Sequence, residues 1–183
     1  MNNYFITTPR LGFGLWQSGD IKAAQTLWGD PQVSRYICAA GVFTEEEIAA
    51  RLALECTNHE RFGVQYWPIF DRKNDTLVGC CGLRPVSGEA DVYELGFHLR
   101  PQYWGRGLAA EGAKAVIAYA KDRLHARQLR AGHNPKNENS RHVLVDKLGF
   151  VFTGEAYYPP TGLMHPSYTM ELSINKLKSS TIE

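Results

Sequence analysis

The run HLRPQYWGRGLAAEGAKAVIAYA, residues 98–120, constrains this chain more than any other segment. It follows a stretch, Asp91–Leu99, that reads as a strand. Pro101 has no amide hydrogen, so a strand ladder stops there. Gly105 and Gly107 then let the backbone turn tightly and approach a ligand closely. An alanine-rich helix begins at once, from Gly107 to about Leu124, in residues that favour that state. The first amide groups of such a helix have no partner within it. They point outward with the positive end of the helix dipole, which makes an anion site suited to a pyrophosphate. Arg106 adds charge inside the loop. On the two glycines alone, a plain strand-to-helix turn would explain the run equally well. The spacing lacks the Gly-Lys-Ser/Thr of an ATP-binding loop and the G-x-G-x-x-G of a dinucleotide fold, so neither ATP nor NAD is favoured.

The rest of the chain supplies a sheet for this turn to sit on. Leu11, Phe13 and Leu15 alternate within Arg10–Gln17 and predict a first strand. Asp20 can cap a short helix carrying Ile21, Ala24, Leu27 and Trp28, ending near Gly29. Thr44 and Glu47 form a capping-box pair that opens a second helix with Ile48, Leu52 and Glu55 on successive turns. Gly63–Phe70 and Thr76–Leu83 read as strands joined by a turn at Arg72–Asp75. Beyond the long helix, Gln128–Gly132 predicts a short strand. Asn139–Leu148 predicts a helix stopped by Gly149. Phe150–Tyr157 and Tyr168–Ile174 predict two closing strands. This order implies one α/β domain, residues 1–175, with a mixed, largely antiparallel central sheet flanked by about four helices, parallel where a helix crosses over. Residues 176–183 read as a polar C-terminal tail.

Composition narrows the partners. At 183 residues, with 44% hydrophobic and 21% charged residues, the chain has the balance of a single globular domain. A formal net charge of +1 gives no overall field toward nucleic acid or anionic membrane, so a phosphate-bearing ligand must be held locally. No signal-like N-terminus and no apolar run of spanning length is read. Cys38, Cys56, Cys80 and Cys81 show no metal spacing and read as small core residues of a reducing, cytoplasmic compartment. No metal site is expected. The sequence leaves monomer and homodimer open.

Taken together, the segments TPRLGFGLW, GCCGLRP, ELGFHLRPQYWGRGLAAE and NPKNENSRHVLVDKLGF resemble, in order, pieces of the GNAT superfamily of N-acetyltransferases, within it the RimJ/RimL-type branch. The resemblance spans about residues 8 to 174. It implies that acetyl-CoA is the co-substrate and that the Gln102–Ala109 loop holds its pyrophosphate through the amides of Gly105, Arg106, Gly107, Leu108 and Ala109. It also implies a strand that splays beside Leu99, whose backbone would meet the pantetheine arm and supply the oxyanion donor, and an Asn137 that touches the arm from the other side. The acceptor is then a primary amine, of a protein N-terminus or a small molecule.

In YELGFHL, Tyr93, Leu95, Phe97 and Leu99 share an apolar face, whereas Glu94, Gly96 and His98 share a polar one. A carboxylate in a cleft there suits a general base, with burial expected to raise its pKa toward neutrality. Glu94 also matches the family's glutamate; His98 is a second candidate base. The position of the family's general-acid tyrosine holds Leu144, which leaves Ser140, one turn earlier, as the candidate acid. This gap also keeps open a non-catalytic acyl-CoA-binding module. Two segments remain to finish an acceptor pocket: Gly29–Thr44 with Tyr36, and residues 157–168 with Tyr157, Tyr158, His165 and Tyr168. The second reads either as a pocket wall or as a strand-end hairpin packed on its own aromatics. Neither an acidic nor an arginine cluster stands out along the chain.

Overall fold

The computed structural model describes residues 3–172. Its strands are β1 (Ile6–Thr7), β2 (Leu11–Phe13), β3 (Tyr66–Asp71), β4 (Thr76–Pro85), β5 (Val92–Leu99), β6 (Gln128–Gly132), β7 (Val151–Tyr158) and β8 (Leu163–Glu171). They form one sheet in the order β1-β2-β3-β4-β5-β6-β8-β7. All neighbours are antiparallel except β5 and β6. The helices are α1 (Ile21–Trp28), α2 (Pro31–Ser34), α3 (Glu45–Phe62), α4 (Leu108–Asp122) and α5 (Glu138–His142). This is the α/β architecture expected, with β1 and the short α2 added.

The two sheet faces bury separate cores, and period-two alternation divides the residues between them. Neighbouring Cys80 and Cys81 show this directly. Cys80 packs with Trp16, Leu27, Trp28, Ile48 and Leu52 on the α1–α3 side. Cys81 packs with Leu83, Leu95, Leu108, Val116 and Leu129 on the α4 side. Cys38, Cys80 and Cys81 are buried and Cys56 half-buried, all as free thiols.

Local chemistry sets the helix ends. The α3 capping box is complete: Thr44 Oγ1 accepts from the Glu47 amide at 3.2 Å, and Glu47 Oε2 accepts from the Thr44 amide at 2.8 Å. Asp20 does not cap α1, because its carboxylate accepts the Gln17 amide at 2.9 Å instead. The helix expected over 139–148 is in two parts, α5 followed by a π-helical turn at Val143–Lys147 in which the Leu148 amide reaches back to Val143 O at 3.1 Å.

Residues 157–168 form a strand-end hairpin. β7 continues to Tyr158, a turn closes at 159–162, and β8 starts at Leu163, well before the expected Tyr168. Pro166 is tolerated because β6 pairs β8 only up to Gly132↔Ser167, so the proline lies just past that ladder. The end of the expected strand at Ile174 and the polar tail 176–183 lie outside the described residues. Among the described residues no helix is long and apolar enough to cross a membrane.

Candidate active site

A cleft of about 1350 Å³ runs from the α4 N-terminus, between β5 and β6, to α2 and α3. At its first end the chain leaves β5, makes a 3-10 turn at Pro101–Tyr103, and enters α4 through Gly105 (φ +69°) and Gly107 (φ +73°). No side chain caps α4. Among the described residues, the amides from Gly105 to Ala110 donate to no protein acceptor; the first bonded one is Glu111, to Gly107 O at 3.1 Å. A row of convergent, unpartnered N–H groups at a helix start fits a pyrophosphate. The loop is braced from behind. Arg10 donates to Arg106 O at 2.8 Å and to Glu111 at 2.6 Å, and Thr8 Oγ1 donates to Glu111 Oε1 at 2.6 Å.

The slit itself follows from the ladder. β5 pairs β6 only over Val92↔Gln128, Tyr93↔Leu129 and Glu94↔Arg130. On its other edge the Arg100 amide bonds Val78 O at 2.9 Å. Antiparallel alternation therefore turns the backbone groups of Leu99 and Phe97 away from β4, toward the side that β6 has vacated. The Leu99 carbonyl is taken by Trp104 Nε1 at 2.7 Å. Its N–H is the group that faces the slit.

Glu94 stands where the two strands part. Its carboxylate accepts from Tyr66 Oη at 2.5 Å. The Tyr66 ring crosses β5 at Gly96, where a Cβ would collide with it. Burial, then the Glu94 charge, holds the Tyr66 pKa well above the usual phenol range, so it remains a donor. Arg84, opposite Glu94 in the β4–β5 register, lies 4.2 Å from the Tyr66 ring centroid and pairs with the fully buried Glu55. Burial opposes the Arg84 charge, but Tyr66, Glu55 and Glu94 together outweigh it and raise its pKa. Glu55 also accepts the Tyr66 amide at 2.8 Å.

Past Gly96 the same face carries His98. Trp28 Nε1–H donates to His98 Nδ1 at 3.3 Å. An indole nitrogen only donates, so Nδ1 is an acceptor and the ring hydrogen sits on Nε2. Burial, then the charges of Arg51 and Arg84, holds the His98 pKa well below the usual imidazole range. The ring is neutral and offers a donor. The two candidate pocket segments meet where the Ala39 amide donates to Pro160 O at 2.8 Å, and Asn134, beyond β6, holds the first of them by donating from Nδ2 to Tyr36 O at 3.3 Å.

Residues 10–151 match the acetyltransferase (GNAT) domain model. The chain belongs to the GNAT family. The uncharacterized N-acetyltransferase YnaD of Bacillus subtilis is 30% identical over 144 residues, 79% of this chain and 81% of that one. The [ribosomal protein uS5]-alanine N-acetyltransferase of Escherichia coli is 28% identical over 108 residues, 58% of this chain and 55% of that one. Among solved structures, a GNAT-family acetyltransferase from Bacillus anthracis superposes with a TM-score of 0.74 at 25% identity, covering 91% of this chain and 97% of that one. RimL, the ribosomal L7/L12 α-N-protein acetyltransferase in complex with coenzyme A, shares the fold, with a TM-score of 0.76 at 14% identity over 93% and 98% of the chains. This GNAT protein is an acetyl-CoA-dependent acyltransferase that carries acetyl to an amine.

In this acetyltransferase, Glu94, Leu99, Gly105, Gly107, Leu108, Ala109, Asn137 and Ser140 all line the cleft, as do Tyr36, His98, Tyr157, Tyr158, His165 and Tyr168. Gln102 and the Arg106 side chain do not; Arg106 instead lies 5.5 Å over the Tyr103 ring. Asn137 Oδ1 accepts the Ser140 amide at 3.2 Å and so starts α5. Leu144 is buried at 2% exposure, on the π-helical turn. Two expectations need correction. Glu94 is exposed to the cleft rather than buried, because no element packs over its side chain there. His98 is no candidate base in this arrangement, because Trp28 occupies its acceptor nitrogen. Three arginines do line the cleft on its α2–α3 side: Arg35 after α2, Arg51 on α3 and Arg84 on β4. Tyr66 was also missed. The available signal was on α3, where Arg51 and Glu55 lie at helical spacing with Ile48 and Leu52 on the face turned to the core.

Proposed function

We propose that this protein is a cytoplasmic N-acetyltransferase of the RimJ/RimL-type branch that transfers acetyl from acetyl-CoA to a primary amine by direct attack on the thioester. The amides of Gly105 to Ala109 hold the pyrophosphate, and Leu99 and Asn137 flank the pantetheine arm. The amine nitrogen attacks the thioester carbonyl carbon. Its proton passes to Glu94, directly or through water, while the Leu99 amide stabilises the oxyanion. The carbon–sulfur bond then breaks, and the departing thiolate takes a proton relayed through the Ser140 hydroxyl, which regains one from solvent water in the same step. The Ser140 hydroxyl lines the cleft and has no partner among the described residues.

The observation that carries this reading is the position of Glu94. It is an open carboxylate fixed by Tyr66 at 2.5 Å over Gly96, in the gap that opens where β5 parts from β6 and into which the Leu99 amide turns further along. A protein N-terminal amine is supported by the similarity to the uS5-alanine enzyme; a small-molecule amine fits the same chemistry. The test is thiol release from acetyl-CoA against amino acids, small amines and short peptides, with wild type and Glu94→Gln. The variant is expected to lose about 10²–10⁴ in kcat while coenzyme A still raises its melting temperature. Full activity in Glu94→Gln would overturn the assignment of the base.

A further inference from the structure

The three arginines on the α2–α3 side of the cleft differ in their counter-charges. Arg84 has Glu55 built in beside it. Arg35 is exposed at the rim, 4.7 Å from the Tyr36 ring centroid. Arg51 is half-buried and has no such partner. Among the described residues it forms no ion pair and no hydrogen bond, and its Nε is closed off from solvent without an acceptor. Its guanidinium carbon lies 5.4 Å from the Trp28 ring centroid and 5.1 Å from that of Phe43. Glu47, one turn earlier on α3, uses its carboxylate to cap the helix at the Thr44 amide. The faces of two aromatic rings recover part of the hydration a cation loses, but an unpaired ion drawn from water is left with an uncompensated cost. Here that cation lines the cleft, where a ligand can reach it.

We infer that Arg51 docks a carboxylate of the acceptor, so that the amine acetylated beside Glu94 belongs to a carboxylate-bearing molecule. The inference rests on the acetyltransferase reading of the same cleft and narrows its substrate class. Arg51 lies at the His98 end of the polar face: it stacks on Trp28, the ring that donates to His98. Glu94 starts four residues along the same strand face, but its carboxylate meets the Tyr66 hydroxyl over Gly96, only two residues, about 7 Å, from His98. The slot therefore has a cationic end and an anionic end, and its complement is a molecule with a carboxylate at one end and an amine at the other. That carboxylate can belong to a free amino acid or to an acidic residue near a peptide's N-terminus.

The experiment compares kcat/KM for L-glutamate against L-glutaminamide, and for the peptide amide Ala-Asp-Ala against Ala-Asn-Ala, in wild type, Arg51→Gln and Arg51→Lys. Wild type is expected to favour the carboxylate member of at least one pair by about tenfold or more, and the pair that responds names the source. Arg51→Gln is expected to erase that preference while the neutral member stays within about twofold, and Arg51→Lys to keep part of it. Equal use of both members by wild type, or an equal loss for both in Arg51→Gln, would overturn the inference. Calorimetric titration of the CoA-loaded protein with L-glutamate and Ala-Asp-Ala amide separates the two readings. Binding that Arg51→Gln abolishes, without acetylation, keeps the carboxylate site and sinks the transferase reading; binding of neither probe sinks the site. Should Arg51→Gln fold poorly, as a fall in melting temperature would show, Arg51→Lys carries the same comparison.

Discussion

Arg10 grips the phosphate loop from the side away from the cleft, and removing it should loosen the loop without touching the chemistry. In Arg10→Ala the Arg106 carbonyl loses its donor at 2.8 Å and Glu111 loses its cationic partner at 2.6 Å. The Arg10–Glu111 pair is 46% and 17% exposed, so its direct contribution to stability is about 1 kcal/mol or less. The larger effect falls on binding. Re-ordering even one loop residue around the pyrophosphate costs about 1–2 kcal/mol, which corresponds to a rise of about tenfold in the KM for acetyl-CoA. The turnover number should hold, because Glu94 and Tyr66 lie on other strands. Initial rates of thiol release across acetyl-CoA concentrations, paired with melting temperatures, read both quantities. An unchanged KM, or a fall in kcat at constant KM, would refute the reasoning. The same brace predicts an acid limb. Burial works against the Glu111 charge, but its bonds to Thr8 and Arg10 prevail and hold its pKa below the ordinary 4.5. A depressed carboxylate contributes fully above that value and loses its contribution as pH falls through the folded pKa. Loop affinity should therefore weaken on the acid side of 4.5 in wild type, and Arg10→Ala should flatten that dependence.

Two further outcomes follow from the charges beneath the site. Glu55→Gln leaves Arg84 buried without its counter-charge and should cost about 3–5 kcal/mol in urea unfolding; a value under about 1 kcal/mol would mean that Glu94 alone neutralises Arg84. His98, held below its ordinary 6.5 by burial and then by Arg51 and Arg84, stays neutral in the fold while the unfolded chain takes up a proton. Stability should thus be complete above 6.5 and decline as pH falls from there toward the folded pKa. Unfolding midpoints measured from neutral to mildly acid pH should fall more steeply for wild type than for His98→Asn; identical slopes would refute the assignment.

What was legible in the sequence was local. Pro101, Gly105 and Gly107 act on their own peptide units, so the strand end and the uncapped helix start could be read without knowing anything distant. Period two sorted Glu94 and His98 from Leu95 and Leu99 for the same reason. The partners of those side chains were not legible. Tyr66 reaches Glu94 through the register of two ladders and the missing Cβ of Gly96. Arg84 faces Glu94 only because β4 pairs β5 with Gly82 opposite Gly96. Glu94 was expected to be buried by the walls of its cleft; its backbone pairs with Arg130 on β6, yet its side chain stays open to the cleft. The strands expected at Phe150–Tyr157 and Tyr168–Ile174 leave a gap that β8 fills from Leu163, because Pro159 and Pro160 form the turn and Pro166 sits beyond the last β6 pair. No propensity signal distinguishes the π-helical turn at Val143–Lys147 from a continuing helix.

The three-pair ladder between β5 and β6 is also a mechanical seam. Strands β1 to β5 come from residues 6–99 and β6 to β8 from 128–171, so the sheet is two half-sheets joined by a ladder of only three pairs. A molecule seated along the slit touches both halves and acts as a removable staple. Its binding free energy is then added to the cohesion of the sheet as a whole, and saturation with coenzyme A becomes a determinant of how firmly the N-terminal and C-terminal halves of this fold are held to one another.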